Sequence, residues 1–522
     1  MAARSTGRAA ALVGAGIFLS RIAGLVRQRV LAHYLGLSDA ADALSAAFRI
    51  PNLLQNLFGE GVLSASFIPV YARLLGEGKE DEADRVAGAI ATLLGLAVAA
   101  VVALGVVAAG PLVTVLAPGF TGEKRVLTVA LVRILFPGAG LLVLSAWCLG
   151  ILNSHRRFFL SYAAPVAWNV VIIGTALVAG RGRAAETVVV WVAWGAVAGA
   201  LAQLLVQLPT VLALARGLRL SFGHGHPGVR MAIHNFWPAL AGRGANQISA
   251  YVDGVIASLL GTGAAAAVAN AQLLYTLPVS LFGMSVSAAE LPELSAVGGD
   301  DAARRAAIVR RIEAAQQRLA FFVVPCAAAF VTIGHVVAGA VFQTGRFSAD
   351  DSRYVWAILA GSAVGLLAAT LSRLTSSALY ATGDTRTPMR YALVRVGLTT
   401  VLGFAVALGA PRLLGVEARW GAAGLTATAG FAAWVEFALL RRAVGRRLGT
   451  PHFAAGVLIR LWSAALAASA AGWGVLLLLG PAGPLVTAAV VLSAFAAVYG
   501  AATLAVGVPE ARALLERLRR DA

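Results

Sequence analysis

Charge is scarce in this chain. Only 13% of its 522 residues are Asp, Glu, Lys or Arg, about half the share usual in soluble domains. Hydrophobic residues reach 59%, and mean hydropathy is +0.81. No polar stretch is long enough to fold as a separate soluble domain. Apolar runs of roughly 20 residues, the length that carries a helix across a bilayer, recur instead from end to end. The chain reads as an all-α polytopic membrane protein.

Other absences narrow the chemistry. Cys148 and Cys326 are the only cysteines. Both sit in apolar runs, which excludes a disulfide framework and marks them as small buried hydrophobes. "GEGKED" lacks the first glycine and the Ser/Thr of a phosphate-binding loop, so ATP hydrolysis is not expected. No loop gathers the carboxylates or ligands that a membrane-face enzyme would need, so no catalytic residue and no metal site are expected. The acidic runs "EGKEDEAD" and "GGDD" read as solvated turns. His224 and His226 in "GHGHPG" lack a Cys or acidic partner.

Cations are what the sequence does supply. The formal charge is +18, and it comes almost wholly from arginine, because Lys79 and Lys124 are the only lysines. On a soluble protein this would suggest nucleic acid. Here the basic residues concentrate in short loops such as "NSHRRF", "GLRLSFGHGHPGVR", "GGDDAARRAAIVRR", "ATGDTRTPMR" and "RRAVGRRLGTPHF". Excess Lys and Arg mark the cytoplasmic side of a membrane protein. Numbering about 14 spans from the start puts these loops and both termini in the cytoplasm. The opening "MAARSTGRAAALVGAGIFLSR" reads as an uncleaved first span, since no clean small-x-small cleavage site follows it. No nucleic acid partner is expected.

A weak repeat divides the spans. "LFGEGVLSASFIP" in span 2 resembles "LFGMSVSAAELP" in span 8, and each follows a proline, Pro51 and Pro278. Six spans repeated by six predicts two pseudo-symmetric lobes, residues 1–220 and 221–448, with two further helices and a tail at 449–522. Parallel repeats of this kind are a transporter architecture whose substrate site lies between the halves.

Ionisable residues within a span are expensive and face a cavity or a partner. Span 1 carries Arg21, Arg27 and Arg29. Span 2 carries Asp42, Arg49 and Glu60, with Asn52 and Asn56 between. Arg243 and Asp253 fall in span 7, Glu290 and Glu293 near the end of span 8, Arg373 in span 10 and Glu436 in span 12. At 100° per residue, Asp42 and Arg49 differ by about 20°, and Asn56 and Glu60 fall within about 40° of the same line. Span 2 thus bears one polar stripe; Pro51 is expected to interrupt and bend it, and Gly59 and Gly61 to loosen its end. Excess arginine in a cavity calls for an anion, and guanidinium forks suit phosphate oxygens. A phosphate-bearing amphiphile is the expected substrate.

"SRIAGLVRQRVLA", "DALSAAFRIPNLLQNLFGEGVLSASFIPVYA", "APGF", "ILN", "LPELS" and "GDTRTP" together resemble the MurJ/MviN family of lipid II flippases, in the multidrug/oligosaccharidyl-lipid/polysaccharide exporter superfamily. The resemblance spans the chain and is densest over residues 20–73. It implies 14 spans in a multi-pass bacterial inner-membrane protein that works as a monomer. It also implies transport of the undecaprenyl-diphosphate-linked peptidoglycan precursor from the cytoplasmic to the periplasmic leaflet by alternating access. A basic central cavity would bind the diphosphate through Arg21, Arg27, Arg49, Asn52 and Arg373, with Asp42, Glu60 and Asp253 balancing charge or gating.

Two positions depart from the family pattern. Gln55 stands where relatives commonly carry arginine, and "AQLLYTLP" offers Gln272, Leu273 and Leu274 where a span 8 arginine is common. Arg243 is expected to compensate. These departures leave open another polyprenyl-diphosphate-linked glycan as substrate; a glycan-polymerising membrane enzyme is the less favoured alternative. No cofactor is implied. Coupling to the membrane potential or to a monovalent cation is compatible with the family, with Asp253 and Glu436 as contributors to a cation site, although span 11 offers no carboxylate or amide.

Overall fold

The computed structural model describes residues 2–223, 225–295, 301–452, 455–480 and 482–521. Side chains are described outside 2–13, 60, 239, 241–250, 288–289, 291–292, 295, 301, 517–518 and 520–521. Among the described residues the chain is helical, with no strand. It divides into two compact units.

The first unit comprises Met1–Ala265 and Thr344–Arg346. Its helices are α1 (Ala2–Leu35), α2 (Asp39–Phe58), α3 (Glu60–Ser66), α4 (Ile68–Gly76), α5 (Glu80–Val107), α6 (Ala109–Leu116), α7 (Gly122–Ser154), α8 (Phe158–Ala163), α9 (Pro165–Ala179), α10 (Ala185–Leu214) and α11 (Pro227–Ser258). α7 is central and packs on α10, α2 and α5. Its buried Trp147, Cys148, Ile151 and Leu152 meet Phe67 and Tyr71 of the α3–α4 segment. α1 packs on α8 and α9, and α11 on α3 and α2.

The second unit comprises Ala266–Gln343 and Phe347–Ala522. It holds most of α12 (Ala264–Pro278), a π-helical turn (Val279–Met284), α13 (Ser285–Ser295), α14 (Asp301–Thr332), α15 (Gly334–Phe342), α16 (Ala349–Ala363), α17 (Leu366–Ala381), α18 (Arg386–Leu414), α19 (Gly421–Leu448), α20 (Ala455–Leu478), α21 (Pro484–Ala505) and α22 (Pro509–Asp521). α19 packs on α16, α17 and α18, while α20 pairs with α21 and packs on α14.

Local sequence explains many helix ends. Glu80, Asp81 and Glu82 fill the first turn of α5, where carboxylates meet the positive end of the helix dipole. Ser348 and Asp351 form a capping box on α16, satisfying two of its orphan donors. α19 ends in Arg446 and Arg447, and Gly449 follows at φ +107.

Ten helices of the described residues are long and apolar enough to cross a membrane, and the bent pair α16–α17 forms an eleventh. The predicted spans 2 and 7 correspond to α2–α4 and α11, which do not pass that test among the described residues, and predicted span 1 corresponds to α1, whose side chains 2–13 lie outside them. α2–α4 and α11 carry Asp42, Arg49, Arg243 and Asp253, so residues that suggest a function also lower the hydropathy there.

Span 2 breaks at Gly59, one of the two glycines expected to loosen its end, and not at Pro51, where the bend was expected. Helix α2 runs through Pro51 and stops at Phe58, and the break falls on Gly59, whose backbone is extended at φ −84, ψ −151. A proline removes one hydrogen bond, but the flanking turns of α2 hold. At Gly59 a Cβ would lie 2.2 Å from the Gln55 carbonyl oxygen. The equivalent "LFG" of the second repeat sits in the π-helical turn. Both copies therefore interrupt the α-helix at the same motif by different means.

Candidate functional site

The two inward arginines of α1 part company. Arg21 is exposed, whereas Arg27 is half-buried. The Arg27 guanidinium lies 4.8 Å from the centroid of the Trp168 ring on α9, a cation–π contact. Its Nε is buried without a hydrogen-bond partner among the described residues. Trp168 is held in turn by its Nε1–H, which donates to the Ala196 carbonyl at 3.0 Å. Phe48 of α2 meets the same indole edge-on at 6.2 Å. A narrow cleft beside this group is lined by Phe48, Pro51, Asn52 and Trp168, and Asn52 is exposed.

Arg49 lies one turn before Asn52 on α2 and is half-buried. It lines a second cleft with Ser45, Tyr251, Gly254 and Ser258. The Tyr251 hydroxyl donates to the Arg49 carbonyl at 3.1 Å. Asp253 interacts electrostatically with the guanidinium. Gly254 leaves the space it occupies: a Cβ there would lie 2.0 Å from Arg49 Nη1. Helix α11 thus supplies a hydroxyl, a carboxylate and a gap, all directed at one arginine.

Asp42 is fully buried at the first turns of α2. Its carboxylate accepts from Lys124 Nζ at 2.6 Å and from the Gly263 amide at 2.7 Å. Asp39 accepts from the Thr262 hydroxyl at 2.9 Å and pairs with Lys124 at 2.8 Å. The Gly119 amide donates to Ser258 Oγ at 3.2 Å. Together these contacts clamp the end of α11 and the loop after it onto α2 and α7. Lys124 was not among the residues singled out from sequence. Its rarity in an arginine-rich chain, at the start of an apolar helix, was the available signal.

In the second unit, Arg373 is exposed on a helix whose neighbours Leu371, Ser372, Leu374 and Thr375 are buried. It acts electrostatically on Tyr275 and Glu436. Glu436 pairs with Arg395 of α18 at 3.0 Å. Arg395 was also missed, although "YALVRVGL" shows a cation inside an apolar run. Glu290 is buried and pairs with Arg311 at 2.6 Å and Arg318 at 3.4 Å, while Glu293 reaches Arg311 at 3.1 Å. The "LPELS" carboxylates therefore fasten α13 to α14. The side chains of Glu60 and Arg243 lie outside the described residues. Gln55 is half-buried, as is Leu273, and Gln272 is exposed. His224 lies outside the described residues, and His226 caps α11 through its Nδ1, which accepts from the Gly228 amide at 3.1 Å.

The profile of the family described as lipid II flippase MurJ matches residues 31–493. The chain belongs to the lipid II flippase MurJ family. Curated relatives agree. The lipid II flippase MurJ of Burkholderia cenocepacia is 30% identical over 394 residues, 74% of this chain and 75% of its own. The probable lipid II flippase MurJ of Rhizobium tropici is 32% identical over 397 residues, 75% of this chain and 73% of its own. Among solved structures, a lipid II flippase MurJ in an inward closed conformation matches with TM-score 0.76 at 20% identity, covering 94% of this chain and 98% of that one. An inward-facing multidrug resistance transporter of the MATE family and MOP superfamily matches with TM-score 0.64 at 17% identity, covering 83% and 96%. These likenesses establish the MurJ/MATE transporter fold. Membership of the MurJ family makes the chain a multi-pass transporter of the bacterial inner membrane.

Proposed function

We propose that the chain carries lipid II from the cytoplasmic to the periplasmic leaflet by alternating access, with arginines of α1 and α2 gripping the diphosphate. The observation that carries this reading is the placement of Arg27 and Arg49. Arg27 is held against Trp168, and Arg49 sits in the space left by Gly254 with Asp253 acting on it electrostatically. The planar guanidinium fork suits phosphate oxygens, and the Arg27 Nε has no hydrogen-bond partner among the described residues. Asn52, one turn from Arg49, adds a neutral donor. Arg21 is an exposed cation of α1 that extends the same grip, and Arg243 and Arg373 are assigned to it from sequence.

The contacts of α11 support a gating reading. By chain order α11 opens the second repeat, 221–448, yet it is clamped to α2 and α7 through Asp39, Asp42, Lys124 and Ser258. Release of this clamp is the proposed opening step. Asp42 then acts as latch, Asp253 balances Arg49, and Glu60 remains a charge-balancing candidate. The charge of the loops supports cytoplasmic termini and 14 spans, with α1, α2–α4 and α11 as the polar three. The chain is proposed to act as a monomer without a cofactor, drawing on the membrane potential, where each charge moved through 100 mV contributes about 2.3 kcal/mol.

The test is complementation in cells depleted of their own lipid II flippase. Arg27→Ala and Arg49→Ala are expected to abolish rescue while the protein still reaches the membrane, and Arg21→Ala to impair it. Full rescue by all three would overturn the assignment. Gln55 keeps a second substrate in view. If the wild-type chain reconstituted in vesicles exchanges another polyprenyl-diphosphate-linked glycan between leaflets but not labelled lipid II, that second reading holds.

A further inference from the structure

Helix α19 ends in four arginines, Arg441, Arg442, Arg446 and Arg447. A groove of about 670 Å³ lies along this end, lined by Trp434, Phe437, Arg441, Arg442, Gly445 and Arg446. That volume falls in the roughly 300–1,000 Å³ range of small-ligand sites. From Trp434 to Arg446 the helix rises about 18 Å at 1.5 Å per residue. The groove is therefore graded: aromatic at one end and strongly cationic at the other.

Helix-end arginines have an ordinary explanation, since they meet the negative end of the helix dipole. That end carries only about half an elementary charge, far less than four guanidiniums. Arg447 pairs with Asp384, and Arg441 donates to the Pro451 carbonyl at 3.4 Å. Arg442 and Arg446 have no ion pair among the described residues. They stand one turn apart, a spacing at which like charges repel. Generic attraction to the membrane surface would not require both to line one groove with an indole. Trp434 is fixed there by its Nε1–H, which donates to the Val364 carbonyl at 2.8 Å, and the residue stays 38% exposed.

The geometry points to a binding site for an anionic phospholipid. Arg442 and Arg446 hold the headgroup phosphate, and the upper acyl chain lies along Trp434 and Phe437. Basic pockets beside membrane helices recognise lipid headgroups in this way. A soluble phosphate would use the arginines and leave the aromatic half idle. The site holds whichever lipid is transported, because none of its residues belongs to the α1–α2 grip.

The full-length protein in phosphatidylcholine vesicles provides the test. The emission lost on Trp434→Phe isolates Trp434. Acyl-brominated phosphatidylglycerol is expected to quench that component at several-fold lower mole fraction than acyl-brominated phosphatidylcholine. Arg442→Gln/Arg446→Gln is expected to remove the preference. Equal quenching by the two lipids, or a preference that survives the double substitution, overturns the proposal. Relief of quenching by inorganic phosphate alone would reassign the site to soluble phosphate and also overturn it. If the Gln pair fails to fold, Arg442→Lys/Arg446→Lys decides. A weakened preference supports a bidentate phosphate grip, and an undiminished one refutes it.

Discussion

A Cβ placed on Gly254 would lie 2.0 Å from Arg49 Nη1, and the atom it meets is the tip of a flexible side chain. Gly254→Ala should therefore displace the guanidinium without unfolding the helix. Complementation is expected to fall about as far as it does with Arg49→Ala, while membrane abundance stays near wild type. Normal rescue would show that the seat of Arg49 is unimportant. Asp42 makes the opposite prediction. Its fully buried carboxylate is paired with Lys124, and removing one member of a buried pair strands the other, typically at 3–5 kcal/mol. Lys124→Met should lower the thermal midpoint of the detergent-solubilised protein strongly, and Asp42→Asn/Lys124→Met should recover part of the loss. A double variant worse than either single would contradict a simple pair. Sequence reading reached Asp42, Arg49 and Arg27 because charge in an apolar span stands out. It could not reach Trp168 or Gly254, since an indole or a glycine in a membrane helix looks ordinary until its neighbour is known.

Helix breaks are the elements that least resemble a hydropathy profile. α16 gives way to α17 at a 41° bend, and there a Cβ on Gly365 would lie 2.4 Å from the Gly430 Cα of α19. Small residues let membrane helices approach this closely. Gly365→Val should push α19 away and reduce folded yield, measured as monodisperse protein after extraction; an unchanged yield would mean the contact is dispensable. At the next turn, Asp384 accepts from the Thr387 amide at 3.0 Å and pairs with Arg447. Partial burial alone would raise its pKa, but the hydrogen bonds from Thr387 and the Arg447 charge outweigh it and hold the carboxyl below its ordinary value. A depressed carboxyl stabilises the fold above its unfolded pKa of about 3.9, and that contribution is lost as pH falls through the lower folded value. Asp384→Asn should thus lower the thermal midpoint near neutrality, and the gap from wild type should close in acid; a gap independent of pH would count against the ionised carboxyl. The "GDTRTP" motif was legible as a turn. Its tie to α19 was not, because that partner lies far along the chain. Likewise Pro51 and Gly59 were both legible as weak points of span 2, but that the break falls on Gly59 was not, because the close approach of the Gln55 carbonyl leaves no mark in sequence.

For the molecule as a whole, the loop charges predict sidedness. In a Cys148→Ser/Cys326→Ser background, Ser221→Cys should react with an impermeant thiol reagent only after permeabilisation, and Asp350→Cys in intact cells. The reverse pattern would invert the topology. The all-helical architecture and transporter class were readable because a bilayer forces backbone hydrogen bonding into helices of fixed length. The way helices gather into units was less so. α11 opens a repeat by sequence, yet its Tyr251, Ser258 and the loop to Gly263 fasten it to α2 and to the loop between α6 and α7, and side-chain latches of that sort leave no period to read. The π-helical turn at Val279–Met284 has a consequence of its own. A π-turn holds one residue more than an α-turn, so the chain behaves there as if it carried a single-residue insertion whose effect is absorbed at the turn. Closing that turn into regular α-helix with no residue removed would rotate everything beyond it by about 100°. Glu290 and Glu293 would then face away from Arg311. A shift of hydrogen-bond register at one turn would thereby unfasten α13 from α14 with no change of sequence.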